Sequence, residues 1–139
     1  MAGSEASGWS AYVKNILTHA PCVKRAAIVG ATDGAIWACT DGKTGDVFQA
    51  TAEELKNFVA LFDHVEDVPQ HGFHLEGKKY IVPQVAENLI FGKKDKAGVF
   101  AVKTKLAVLI ACFDGDSMES VTCRKAVDEL GAYLCKQGY

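Results

Sequence analysis

No Cys-x-x-Cys pair occurs in this sequence, and its five cysteines (Cys22, Cys39, Cys112, Cys123, Cys135) are odd in number. That disfavours a disulfide framework or a zinc site and fits a reducing cytoplasm. Cys39 and Cys112 read as small apolar core residues. No apolar run approaches the ~20 residues of a membrane span, and the longest, 106–113, has the length of a buried strand. No basic-plus-apolar leader opens the chain, so no secretory signal is expected. The chain also lacks GxxxxGK[ST], GxGxxG and GxSxG, the loops that cradle phosphates or expose a nucleophile. His71 and His74 are three apart beside a turn, a weak metal pair, and nothing positions a cysteine nucleophile with a histidine. No enzyme, metal or cofactor is therefore expected. A formal net charge of −2 argues against nucleic-acid binding. Internal repeats and low-complexity tracts are absent.

What is present is enough for one domain. A chain of 139 residues with 49% hydrophobic content buries a core of its own without staples. Residues 1–7, small and polar, are expected as a flexible extension, and 8–139 as the domain. The charge is segregated. Glu53, Glu54, Asp63, Glu66, Asp67 and Glu76 face a single Lys56 over 53–76, whereas 78–105 carry seven lysines against Glu87 and Asp95. Such a field orients a partner.

Both ends read as amphipathic helices. In 9–19, Trp9, Tyr12, Val13, Ile16 and Leu17 follow the i, i+3, i+4, i+7, i+8 spacing of one apolar stripe. A last helix runs from 116–120 to about 137, its stripe formed by Cys123, Ala126, Val127, Leu130 and Leu134. Large aromatics at both ends suggest that the ends pair and present a surface, since Trp and Tyr join a flat apolar body to a hydrogen-bonding tip. Between them, 25–32 and 35–40 read as strands around Asp33-Gly34, a strong type I′ hairpin signal. The stretch 41–47 reads as a glycine-rich loop. Residues 51–62 form the clearest helix, opened by the capping box of Thr51 and Glu54. Strands follow at 72–75, 78–84 and 86–91, with Glu76-Gly77 as a turn, a basic loop at 92–98, and last strands at 99–103 and 105–113. The second of these is apolar on both faces and is placed centrally. The fold class is α/β of the α+β type. Short links between consecutive strands make its sheet of six or seven strands mostly antiparallel.

Several segments in this order resemble the profilin family of actin-binding proteins. They are Trp9-Ser10-Ala11-Tyr12-Val13, Ala26-Ala27-Ile28-Val29-Gly30, Ile36-Trp37-Ala38, Gly77-Lys78-Lys79-Tyr80-Ile81-Val82, Gly92-Lys93-Lys94 and Leu130-Gly131-Ala132-Tyr133-Leu134. The resemblance extends over 9–139 and implies a central antiparallel sheet with the terminal helices packed together on one face and shorter helices on the other.

The resemblance implies three surfaces. Trp9, Tyr12, Trp37, Tyr133 and Tyr139 are the positions that bind proline-rich segments; some profilins carry His at the position of Tyr133. The chemistry suits them, because a polyproline II helix exposes its carbonyls and loses little entropy on binding, while flat rings pack on pyrrolidines and donate from an indole or phenol. An actin face is implied at Lys79, Ile81, Val82, Lys93, Lys94, Met118, Val121, Arg124, Lys125 and Glu129, where the basic residues would steer encounter with acidic actin. A phosphoinositide patch is implied at Lys93, Lys94, Lys96, Lys103, Lys105, Arg124 and Lys125, a lysine cluster of the kind that attracts multivalent phosphate.

The implied function is that of a monomeric, cytoplasmic, cytoskeleton-associated adaptor. It would sequester actin monomers, promote their nucleotide exchange, and deliver them to filament ends through proline-rich proteins such as formins. One alternative is a profilin-like scaffold for proline-rich signalling proteins with little or no actin activity. Another is a small cysteine hydrolase.

Overall fold

Seven strands form one antiparallel sheet in the computed structural model, which describes residues 2–40, 48–86, 88–94, 96–114 and 117–139, by backbone alone at 2–8, 10 and 117–120. The chain runs α1 (Ala2–His19), β1 (Val23–Gly30), β2 (Ile36–Cys39), α2 (Ala52–Ala60), a 3-10 helix (Leu61–Asp67), α3 (Val68–His71), β3 (Phe73–Leu75), β4 (Lys78–Ala86), β5 (Leu89–Lys94), β6 (Ala97–Lys103), β7 (Ala107–Asp114) and α4 (Ser117–Lys136). The strand order is β2-β1-β7-β6-β5-β4-β3. The helix at the amino end extends upstream of Trp9 to Ala2. The expected loop at 41–47 lies outside the described residues.

Alternation along the strands divides the core into two layers. Ile28, Leu109 and Ala111 turn to one face, where Val13 and Ile16 of α1 and Val127, Leu130 and Leu134 of α4 cover them. Val29, Val108 and Ile110 turn to the other, under Leu55, Phe58 and Val59 of α2 and Val68 of α3. Strand β7 is thus buried on both sides, as its apolar run predicts. Because α1 lies against β1 and β2 and α4 against β6 and β7, the terminal helices sit side by side. The outer flank of α4 looks towards β5 and β4.

The hairpin turns differ from expectation. Asp33-Gly34 does not make a two-residue type I′ turn. Among the described residues Glu76 alone, outside glycine, has positive φ, so Asp33 lacks the conformation that turn requires. Five residues link β1 to β2, and Asp33 Oδ1 accepts from Ala35 N–H at 3.0 Å. A Cβ on Gly34 (φ 73°) would stand 2.7 Å from the backbone of Leu55, so tertiary packing sets this loop. The two-residue turn with both φ positive is instead Glu76-Gly77, at 55° and 74°, between the paired residues Leu75 and Lys78.

Glu54 explains how a glutamate holds that conformation. Its carboxylate closes the capping box of α2 by accepting from Thr51 N–H at 3.0 Å. It also accepts from the N–H groups of Glu76 (3.1 Å) and Gly77 (2.8 Å). Glu76 in turn pairs with Arg25 Nε at 2.8 Å and accepts from Gln49 N–H at 2.8 Å. One helix start, one turn and the first strand are joined through two carboxylates. The Tyr80 hydroxyl, fully buried, has no hydrogen-bond partner among the described residues.

The basic loop expected at 92–98 is not a loop. Strand β5 continues to Lys94, β6 resumes at Ala97, and Lys93 pairs with Gly98 and Lys94 with Ala97. The lysines that read as loop residues are the end of a hairpin, whose ladder bonds override their low strand propensity.

Candidate functional site

The first turn of the site follows from helix geometry. Residues three apart on α1 lie on one face, so Trp9 and Tyr12 stand together, their ring centroids 5.5 Å apart. Their stripe continues into the core through Val13 and Ile16, which fixes the helix and leaves the rings half-buried at its edge. Pairing with α4 brings Tyr133 to 6.0 Å from Tyr12. The chain end brings Tyr139 to 5.1 Å from Trp9, and strand β2 brings Trp37 to 4.9 Å from Trp9. All five aromatics named from the sequence therefore form one ladder.

The chain end is tied down. The Tyr139 carbonyl accepts from the Thr104 hydroxyl at 2.8 Å and from Leu106 N–H. Tyr133 and Tyr139 remain 47% and 41% exposed, so the ladder offers ring surface to a partner. Burial, followed by the neighbouring Tyr133 and Tyr139 phenols, raises the Tyr12 phenol above its ordinary value. Tyr12 therefore stays a neutral donor throughout the physiological range.

Beyond the ladder the cleft between α1 and α4 widens into an open groove of about 370 Å³, lined by Tyr12, Asn15, His19, Ala126, Glu129, Leu130 and Tyr133. Asn15 and His19 were not singled out from the sequence, although their spacing of three and seven from Tyr12 was a readable signal. Glu129 was assigned to the opposite surface.

The residues implied for actin divide. Ile81 and Lys93 are direct partners across β4 and β5 and share the α4 face. Lys79 lies on that side by alternation, with Nζ donating to the His71 carbonyl at 2.8 Å. Ile81 is 64% and Val121 67% exposed. Arg124 pairs loosely with Asp128 at 3.5 Å, and Lys125 is exposed. These side chains frame the uncovered part of the sheet beside α4.

Three assignments change. Val82 points the other way and is 4% exposed within the core under α2 and α3, so it offers no surface. Lys94 alternates with Lys93 and takes the opposite side of the strand. Glu129 follows the row Val121–Lys125–Glu129, which winds around α4 and ends at the α1 groove. The side chain of Met118 lies outside the described residues.

The lysines implied for phosphate form two groups. Lys93, Lys94 and Lys96 cluster at the β5–β6 hairpin end, whereas Lys103 and Lys105 sit at the far end of β6, about 20 Å away at ~3.4 Å per residue. A single patch is therefore corrected to two. Gly131 lies over Val102 and Thr104, so the carboxyl end of α4 is at the Lys103 end. Arg124 and Lys125, about two turns before Gly131 on α4, lie between the two groups.

Among the described residues the buried thiols are not activated. Burial, then the Glu76 carboxylate, pushes the Cys112 thiol up to about 12, and burial likewise raises Cys123; such thiols are poor nucleophiles. Among the described residues the one cluster of three potential metal ligands is His64, Glu66 and Asp67, all exposed, and it includes neither His71 nor His74. No helix among the described residues is long and apolar enough to cross a membrane.

The fold is a seven-stranded antiparallel sheet with terminal helices paired on one face and an aromatic ladder along their seam. Comparison with known proteins assigns the family. The profilin family model matches residues 7–139. Profilin-1 of Caenorhabditis elegans is 51% identical over 133 residues, covering 96% of this chain and 99% of that protein, and Profilin-2 of the same organism is 46% identical with the same coverage. The structure of Schizosaccharomyces pombe profilin superposes with a TM-score of 0.82 at 30% identity, covering 94% of this chain and 99% of that one. Mouse profilin IIa, solved in complex with a double repeat from the FH1 domain of mDia1, gives 0.73 at 24% identity over 95% of this chain and 99% of that one. The chain belongs to the profilin family, whose members bind actin and polyproline and are not enzymes.

Proposed function

We propose that this protein binds proline-rich segments on the terminal-helix ladder and monomeric actin on the sheet face beside α4. In this way it couples delivery of actin to filament ends with nucleotide exchange on the monomer. The observation that carries the reading is the ladder itself. Trp9, Tyr12, Trp37, Tyr133 and Tyr139 come from four separate places in the chain and meet at spacings of 4.9 to 6.0 Å. A core needs no such half-exposed run of rings, whereas a polyproline II helix is matched by it. The mouse relative solved with an FH1 repeat supports formin-like partners.

On the second surface, Ile81 and Val121 supply apolar contact. Lys93, Arg124 and Lys125 supply positive charge that steers an acidic partner. Faster exchange needs no catalytic group. Binding an open-cleft actin better than a closed one shifts that population by the differential affinity. Because the two surfaces lie on different flanks of α4, both ligands are held at once, and tethering raises the effective concentration of actin at the partner. Phosphoinositide head groups would gather around Lys93 with Arg124 and Lys125, and would compete with actin there. Action in the cytoplasm is part of this reading.

The test is a titration with decaproline followed by tryptophan fluorescence, with Trp9→Ala as control. A saturable change lost in the variant supports the groove; no change in the wild type removes it. Actin nucleotide exchange measured beside it separates this reading from a scaffold without actin activity.

A further inference from the structure

Resting on the polyproline reading, we infer that the groove at the His19 end of the ladder is a specificity subsite for a lysine or arginine flanking the proline core, with Glu129 as its charged determinant. The groove continues directly from the ladder, since Tyr12 and Tyr133 line both. Its far end is rich in acceptors. Glu129 contributes a carboxylate, and Asn15 an amide oxygen. His19 Nδ1 lies 2.9 Å from the Asn15 carbonyl. A carbonyl only accepts, so Nδ1 carries a proton.

Among the described residues the ion pairs are Arg25–Glu76 and Arg124–Asp128, so Glu129 is not neutralised by one. Its nearest basic neighbour along α4, Lys125, stands one turn away. A proline-rich segment lying on the rings would carry its next side chain into this end. A lysine or arginine fits there for two reasons. Its aliphatic stem packs along aromatic surface while the head reaches the carboxylate, and the cation itself is attracted to the tyrosine faces. An acidic flanking residue would meet like charge and find no donor among the groove's charged groups.

The experiment compares three peptides by tryptophan fluorescence at low salt: decaproline, decaproline with two lysines at the amino end, and decaproline with two lysines at the carboxyl end. Each is titrated into the wild type, Glu129→Gln, Glu129→Lys and the distant control Asp63→Asn, whose residue is exposed on the opposite face of the sheet. The readout is the ratio of the decaproline Kd to the lysine-flanked Kd within each protein, which cancels any effect of a substitution on the ladder. The expected result is a two- to fivefold gain for one flank in the wild type and in Asp63→Asn, the range of an exposed ion pair. It should shrink towards one at high salt, be lost in Glu129→Gln and be reversed in Glu129→Lys. A wild-type ratio of one for both flanks, or a gain that survives Glu129→Gln, overturns the subsite while leaving the ladder reading standing. Failure of all three peptides to bind the wild type overturns both.

Discussion

The indole rings of Trp9 and Trp37 lie 4.9 Å apart, one midway along a terminal helix and the other on an edge strand. This contact is where the two chain ends, the sheet edge and the binding surface meet. Trp37 also packs against the core beneath α1, whereas Tyr139 reaches Trp9 from the chain terminus. The two rings therefore differ in what they support.

Removing them should separate stability from recognition. Trp37→Ala is expected to lower unfolding stability by about 2–4 kcal/mol, because a half-buried ring leaves a void. It should also weaken decaproline binding at least tenfold. Tyr139→Ala should weaken binding by a similar factor, the scale of an aromatic anchor, while costing under about 1 kcal/mol of stability. Urea unfolding and fluorescence titration of both variants check this; equal stability losses would contradict the division.

On the actin surface, strand alternation makes a sharper forecast than charge counting. Lys93→Glu combined with Arg124→Glu should slow the acceleration of actin nucleotide exchange tenfold or more, mainly through the association rate. Lys94→Glu, on the reverse side of the same strand, should change it less than threefold. If Lys94→Glu were as damaging as the double change, the face would be misplaced.

Glu54 should give the protein a pH-dependent brace. Burial raises its carboxyl pKa, but hydrogen bonds from the N–H groups of Thr51, Gly77 and Glu76 and from the Thr51 side chain outweigh this and hold it below the ordinary 4.5. A carboxylate lowered on folding contributes stability that is complete above its unfolded pKa and is lost as pH falls through the folded one. Wild-type stability should thus decline below about pH 4.5. Glu54→Gln should cost about 1–2 kcal/mol at pH 7, the scale of a lost cap and its hydrogen bonds, and should show a shallower decline in acid. Thermal melts from pH 3 to 7 test both.

The Arg25–Glu76 pair, at 2.8 Å with side chains 16% and 5% exposed, should behave as a buried ion pair. Glu76→Ala is expected to cost about 3–5 kcal/mol by leaving the Arg25 charge unpaired, and it also removes the acceptor used by Gln49 N–H. Replacing both partners, Arg25→Met with Glu76→Leu, should cost less than the single change. A denaturant series across the three proteins decides it.

Much of this was legible beforehand because some signals are local. The stripe Trp9–Tyr12–Val13–Ile16 prescribes a helix whose rings share a face, and Thr51 with Glu54 prescribes a helix start. Both were read and both are present. The errors fell where a local signal had to compete with packing. Asp33-Gly34 carried the stronger turn motif, yet Gly34 is pressed against the α2 backbone, and it is Glu76 that takes positive φ, under the hold of Glu54. The lysines at 93–96 looked like a loop because nothing in their composition reveals that β6 will pair with β5.

By itself, then, the sequence determined α1, α2, α4, the apolar alternation and the central strand, since each depends on a period or residue type within one segment; the helices over 61–71 were not legible in it, and the five aromatics came through the family resemblance. The tertiary structure decided which side chains share a surface. It sent Val82 inward, put Lys93 and Lys94 on opposite sides of one strand, drew Glu129 from the actin side into the α1–α4 groove, and split the lysines between the two ends of β6. The reason is physical: the face a residue presents is set by strand register and helix rotation against neighbours far away in the chain, and no window of sequence contains those neighbours.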